Sequence, residues 1–430
     1  AAIDHAFAAG DFSQAADLIK QAMPAMRRTR QEETLLAWLE ALPDEVIRAR
    51  PVLSVDYAGT LLQARGDSER AEAWLRHAER WLAPATPPAE GMIVGNDAEF
   101  RRLPGQIAIY HAGRALIRGD VAGTMQHAER ALDLLPEGDD FGRGAAAGLL
   151  GLALWTSGDL DEGYRMYTEC MARLERAGFI SDLFGCALVL ADIRITQGRL
   201  HEAMGIYERA LRTASAHSAV VLRGAADMHV GMSELHREWG DLDAAISQAR
   251  ASEDLGEHNG LRQNPYRWRV AMAGIRQDQD DLEGAVALLR EAERLYVGDF
   301  SPDVRPVAAM TARVWVRQGR LAEAAGWAQE RSLSTDDELS YLHEYEHITL
   351  ARLLIARYRR DRDDHVIDDA TKLLGRLLAA AEDGGRTGRG IEILMLHALA
   401  REAMGDISGA LEPLETALTH GFEITSVSQY

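Results

Sequence analysis

Small and apolar positions along this chain keep fixed distances from a short polar turn of the form Gly-Asp/Arg-x-x-x-small. The turn occurs nine times, at Gly10, Gly66, Gly119, Gly158, Gly198, Gly240, Asp280, Gly319 and Gly405. Seven residues before eight of them stands Gly59, Ala112, Gly151, Ala191, Ser233, Ala273, Ala312 or Ala398. Five residues after come Ala15, Ala71, Thr124, Gly163, Ala203, Ala245, Ala285, Ala324 and Ala410. Twelve residues after come Ala22, Ala78, Ala131, Cys170, Ala210, Ser252, Ala292 and Ala417, with Arg331 as the exception. From Gly119 to Gly319 the period is about 40 residues, a spacing that signals a stacked helical array. Each period reads as helix A, turn, helix B. Small residues at these offsets let A and B approach closely and let B meet the next A.

This is the tetratricopeptide (TPR) pattern with lengthened helices. It predicts an all-α fold, a TPR-like right-handed superhelix of about ten helix-turn-helix units. Around 345–380 the pattern survives with roughly seven extra residues between Ala351 and Ala370, and counts as a further unit. The expected organisation is N-terminal helical units over 1–82, an irregular loop or hinge over 83–96, a continuous superhelix over 97–420, and a tail over 421–430. The loop holds Pro84, Pro87, Pro88, Gly91 and Gly95, residues that break helices. Pro51, Pro302 and Pro306 fall at helix starts.

Charge narrows the classes of partner. The net charge is −20, from 47 basic and 67 acidic residues, and Lys20 and Lys372 are the only lysines. A nucleic-acid surface needs a basic stripe. Here Arg27, Arg28 and Arg30 stand beside Glu32 and Glu33, and Arg359, Arg360 and Arg362 alternate with Asp361, Asp363 and Asp364. Direct nucleic-acid binding by this chain is not expected. The longest apolar run, 144–155, is far short of the ~20 residues of a membrane helix. Cys170 and Cys186 are too few for a disulfide framework and read as core residues, which suits a reducing, cytoplasmic setting. The first residues already sit inside a helical pattern, as expected of a piece of a longer protein.

The motifs that carry chemistry are sparse. His343-Glu344-Tyr345-Glu346-His347 is a literal H-E-x-x-H, which on a helix places two His one turn apart, as zinc ligands require. The extended third-ligand form is absent, because Leu350 stands three residues on, and register puts His347 at a helix-packing position. Gly384, Gly385, Gly388 and Gly390 precede a helix without the dinucleotide spacing, and read as a helix-joining loop. There is no Walker A sequence and no G-x-S-x-G elbow. The expectation is a binding protein with no catalytic residues, no metal and no cofactor.

The repeat register identifies the inner-facing side chains of the A helices. At thirteen, ten, six and three residues before each turn it selects Asp192, Asp227, Glu234, Arg237, Arg267, Gln277, Arg313, Glu392 and Glu402, and the lengthened unit adds Tyr345 and Arg352. The same positions earlier in the chain are Ile109, Gly113, Leu116, Ala145, Gly148 and Leu152. Polar inner residues therefore concentrate in the C-terminal half. Asp227, Glu234, Arg267, Arg313, Tyr345, Arg352 and Glu392 form the candidate ligand site. Paired guanidiniums and carboxylates with an aromatic suit a small polar ligand held by bidentate bonds and stacking. The alternative is a solvated lining whose charges pair with one another.

Several stretches carry a family resemblance. They are Ala1-Ala2-Ile3-Asp4-His5-Ala6-Phe7-Ala8-Ala9-Gly10-Asp11, Trp38-Leu39-Glu40-Ala41-Leu42-Pro43 with Arg48-Ala49-Arg50-Pro51, and Asn264-Pro265-Tyr266-Arg267-Trp268-Arg269. Further on come 303–309, 337–342, 344–352 and Ile391-Glu392-Ile393-Leu394. Over about 1–420 the chain resembles the sensor region of MalT-like large ATP-binding regulators of the LuxR family. The resemblance implies a helical region that binds an effector and self-associates, within a transcriptional regulator whose ATPase and DNA-binding modules lie outside this chain. It leaves two partner classes, a small-molecule effector or a protein. A protein-interaction TPR scaffold is the alternative. Its carboxylate-clamp subtype is disfavoured, because neither lysine occupies an inner position.

Overall fold

The computed structural model describes residues 2–82, 92–94, 96–217, 224–256, 259–296 and 301–426, and its regular elements there are helices. In chain order these are α1 (Ala2–Ala8), α2 (Phe12–Arg28), α3 (Glu32–Glu40), α4 (Asp44–Arg48), α5 (Pro51–Arg65), α6 (Ser68–Leu82), α7 (Asp97–Ile117), α8 (Val121–Leu134), α9 (Asp140–Ser157), α10 (Leu160–Arg176) and α11 (Leu183–Thr196). They continue as α12 (Leu200–His217), α13 (Ala225–Glu238), α14 (Leu242–Leu255), α15 (Asn264–Asp278), α16 (Leu282–Leu295), α17 (Val307–Arg317), α18 (Leu321–Glu330), α19 (Glu344–Asp361), α20 (Asp364–Asp383), α21 (Thr387–Ala403) and α22 (Ile407–Ser426). Most of the expected 83–96 hinge lies outside the described residues, as does 427–430. The tail expected from 421 does not begin with a break, since α22 runs on to Ser426.

The turn chemistry explains the repeat. All nine turn residues, Asp280 included, have positive φ, between 62° and 92°. Glycine adopts this left-handed conformation without a Cβ penalty, and aspartate is among the few other residues that tolerate it. The following Asp caps helix B: the side chains of Asp11, Asp67, Asp120, Asp159, Asp241, Asp281 and Asp406 accept from the backbone N–H three residues on, at 2.8–3.3 Å. One dipeptide thus ends helix A and starts helix B. The small positions behave as close-packing sites: Ala112, Ala191, Ala273, Ala312, Ala245, Ala285 and Ala324 are fully buried. At one such site Ser233 Oγ donates to the Ala245 carbonyl at 2.7 Å, across the A–B contact.

The lengthened unit keeps this logic. Its turn falls at Arg362, also left-handed with φ 57°. Ala351 precedes that turn by four residues more than usual, and Ala370 follows it by three more. About one helical turn has been added to α19 and to α20, so both alanines return to the contact face, and both are fully buried.

The helices group into two compact units. Unit 1 comprises Ala1–Leu154 and Arg165–Leu183, and unit 2 comprises Trp155–Tyr164 and Phe184–Tyr430. The core of unit 1 is built on Leu35, Leu36, Leu39, Leu53, Leu61, Leu75 and Leu103. Its helix α5 is buried almost all round, and the Asp56 carboxylate inside is met by Lys20 at 2.8 Å and Arg27 at 3.3 Å. The densest core of unit 2 centres on α19, packed by α17, α18, α20 and α21. Among the described residues no helix is long and apolar enough to cross a membrane.

Candidate ligand site on the inner helices of unit 2

The A helices α13, α15, α17, α19 and α21 carry the polar register residues of unit 2. The bonds between them show the curl. Arg313 on α17 passes α19 to reach Glu392 on α21, donating from Nη1 to Oε1 at 2.6 Å. Farther round, Trp155 Nε1 donates to Tyr341 Oη at 2.8 Å. A Cβ on Gly388 would lie 3.2 Å from the Ile195 carbonyl, so the start of α21 sits against the end of α11.

Four of the seven sequence-derived residues meet in one cluster. Arg313 is the hub. Its Nε donates to Thr349 Oγ1 at 2.8 Å, its Nη2 to the Tyr345 carbonyl at 3.4 Å, and its guanidinium carbon stands 3.5 Å over the centre of the Tyr345 ring. Arg352 donates from Nε and Nη2 to the same Glu392 Oε1, at 3.2 and 2.8 Å. Arg389 donates to Glu392 Oε2 at 3.4 Å and stands 5.0 Å over Tyr345. Behind lies a deeply buried pair, Arg386 Nε to Glu344 Oε1 at 2.9 Å, with Arg389 Nε 4.0 Å from Glu344 Oε2. Burial pushes the Glu392 carboxyl up, but Arg313, Arg352 and Arg389 outweigh it and hold the pKa at about 2.

Asp227 and Arg267 form a second cluster. Arg267 Nη1 donates to Asp227 Oδ1 at 2.8 Å, and the Leu261 N–H donates to Oδ2 at 2.7 Å. Asp227 is fully buried, and that burial raises its pKa despite Arg267 and the Leu261 N–H. Glu234 stands apart from both, 3.8 Å from Arg305. Burial works against the Arg305 charge, but Glu234, Asp192, Tyr345 and Glu238 more than offset it and raise its pKa.

These placements differ from a freely solvated lining. Arg313 and Glu392 are only 17% and 18% exposed, while Arg352 is 35% exposed. Tyr345 is buried under guanidiniums rather than open for stacking. Of the other register residues, Glu402 pairs with Arg359 at 2.6 Å, and Arg237 with Asp278 at 3.4 Å. The register missed Arg389, Arg386, Glu344 and Arg305. For α21 a signal existed, since Arg389 and Glu392 stand three residues apart on one helical face, while Arg386 is the cap residue just before that helix. Arg305 precedes its helix, where helical register has no meaning.

The H-E-x-x-H residues are engaged in packing. His347 is buried, its Nδ1 2.9 Å from the His343 carbonyl and its Nε2 3.1 Å from Asp337 Oδ2. His343 Nδ1 lies 2.8 Å from Glu346, which also accepts from Arg331 at 2.8 Å. Glu344 turns the other way, to Arg386. The motif is spent on three separate sets of partners.

Known proteins place this arrangement in a family. Over 446 aligned residues the chain is 26% identical to the serine/threonine-protein kinase PknK of Mycobacterium tuberculosis and to that of Mycobacterium bovis, with 98% of this chain covered. It spans 37% of the length of those relatives. A Rap protein complexed with competence and sporulation factor superposes with a TM-score of 0.57 at 11% identity, covering 87% of this chain and 98% of that one. The apo form of the quorum sensor NprR from B. thuringiensis gives 0.52 at 12%, covering 85% and 97%. The Rap conjugation gene regulator of plasmid pLS20, in complex with the Phr* peptide, gives 0.51 at 15%, covering 88% and 98%. At such identities the structural likeness speaks to the fold, a TPR-like helical repeat. Residues 105–422 match the family described as the MalT-like TPR region, and the chain belongs to that family.

Proposed function

We propose that this chain is the effector-sensing and self-association module of a larger, cytoplasmic transcriptional regulator, and that the inner face of unit 2 receives the effector. The observation that carries the reading is the Arg313–Arg352–Arg389 convergence on Glu392, on inner helices of successive repeats. Buried charge of this kind costs stability unless it is paired, and strongly perturbed carboxyls such as Glu392 cluster at functional sites. The chain itself performs no catalysis in this reading, and its net charge of −20 keeps it off nucleic acid.

A peptide- or protein-binding scaffold is the second reading. The complex of the pLS20 Rap regulator with the Phr* peptide favours it, because a protein of similar fold there holds a peptide.

Native mass spectrometry of the purified chain, followed by calorimetry with whatever co-purifies, tests the site. Arg313→Ala and Tyr345→Ala should weaken binding, while Gln106→Ala in unit 1 should not. Normal binding by the unit 2 variants, with loss in Gln106→Ala, would refute the placement. A co-purifying peptide or protein in place of a small molecule selects the scaffold reading.

A further inference from the structure

The donors around Glu392 outnumber what its carboxylate accepts. Oε1 takes three N–H contacts, one from Arg313 and two from Arg352, while an oxygen offers two lone pairs. Oε2 takes a single long bond of 3.4 Å from Arg389. Charge tells the same story. Arg313, Arg352, Arg386 and Arg389 face two carboxylates, Glu344 and Glu392, so the cluster holds two surplus positive charges. The surplus is not sealed in, because Arg352 is 35% exposed. Thr349 and Tyr345 fix the Arg313 fork, so its ordering cost is already met before any ligand arrives.

We propose that the open side of Arg352, beside the more buried Arg313 and Arg389, is a subsite for the carboxylate or phosphate group of the ligand, which shares the three guanidiniums with Glu392. This rests on the reading of unit 2 as the effector site and adds the ligand's chemical class. Planar guanidinium forks match both oxyanions with paired N–H bonds. Glu392 then acts as an internal stand-in, keeping the forks converged while the subsite is empty.

The test uses the full chain with four probes at an ionic strength held constant by NaCl: succinate, inorganic phosphate, and pentaalanine with a free or an amidated C-terminus. Binding is read by calorimetry and by the shift in melting temperature. At least one oxyanion should bind saturably. The free-acid peptide, bound in preference to its amide, marks a peptide terminus as the source; succinate or phosphate marks a small metabolite. Arg352→Gln should weaken that probe by about tenfold or more, the loss of roughly one charge-assisted contact. Glu392→Gln should tighten it by a similar factor, since the internal competitor is gone. Should Glu392→Gln fail to fold, Arg352→Gln still decides, because Arg352 is the most exposed member. The proposal falls if no probe binds the wild type at millimolar concentration, or if Arg352→Gln binds the best probe as the wild type does. A neutral co-purifying ligand that tolerates Arg352→Gln but not Tyr345→Ala would remove the anion subsite and leave the effector site standing. A ligand lost on changes in unit 1 alone would remove both.

Discussion

In unit 1 two paired sets of charges balance. Lys20 and Arg27 face Asp56 and Glu99, and Arg143, Arg173 and Arg176 face Glu137, Asp140 and Glu169. In unit 2, Arg313, Arg352, Arg386 and Arg389 face Glu344 and Glu392, four guanidiniums to two carboxylates. The two regions share one turn and one set of small packing positions, so the difference is not one of scaffold. Matched charge lets a helix pair close on itself. Surplus charge at a half-open face leaves guanidinium donors without a full set of acceptors, which is the feature the proposed subsite rests on. The inner register positions agree: Ile109, Gly113 and Leu116 in unit 1 against Arg313, Arg352 and Glu392 in unit 2.

The largest test breaks the buried pair behind the cluster. Arg386 and Glu344 are 8% and 4% exposed, so Arg386→Ala strands a charge and should cost about 3–5 kcal/mol in chemical denaturation. A loss below 1 kcal/mol would mean that this face of unit 2 is far wetter than its packing indicates.

The next follows from Glu392. Its folded pKa of about 2 lies below the ordinary glutamate value of 4.5, so its stabilisation is complete above 4.5 and is lost as pH falls from there towards 2. That contribution is on the order of 3 kcal/mol, and Glu392→Gln should flatten this acid limb in urea melts taken across the range. Asp227 has the opposite sign. Its raised pKa gives stability that is full below 3.8 and is lost as pH rises through the folded value, and Asp227→Asn should remove that slope. If the two variants change the profile in the same direction, the contrast between the clusters fails.

Packing tests the shared scaffold. Ala312 is fully buried between helices, and Ala312→Leu should overpack unit 2 by about 1–3 kcal/mol in thermal melting. An unchanged midpoint would overturn the repeat register.

The smallest effects should be equal in the two units. Asp120 caps α8 in unit 1 and Asp241 caps α14 in unit 2, at 2.8 and 3.0 Å. Either change to Ala should cost about 1 kcal/mol. A marked inequality would show that the turn chemistry is not common to both.

How much of this was legible beforehand depends on range. The Gly-Asp turns, the caps and the buried alanines act within one helix pair, over contacts a few residues apart, and their periodicity shows in the chain. The same holds for the lengthened unit, whose added residues divide between α19 and α20 to restore the helical face. The polar inner positions were legible as candidates, because register orients an A-helix side chain whatever its partner.

The sequence by itself therefore determined the fold, the family and a short roll of inward-facing residues. Only the tertiary structure decided which of them meet. Arg313 finds Glu392 across 79 residues, and Arg352 finds it across 40, through a curl that no local pattern encodes. Arg389 joins because the first turn of α21 sets it against Glu392, Glu344 and the Tyr345 ring. Tyr345 became a platform for Arg313 because two neighbouring helices set them 3.5 Å apart. Pairing energy depends on distance and burial, and both are properties of the assembled helices rather than of any one of them.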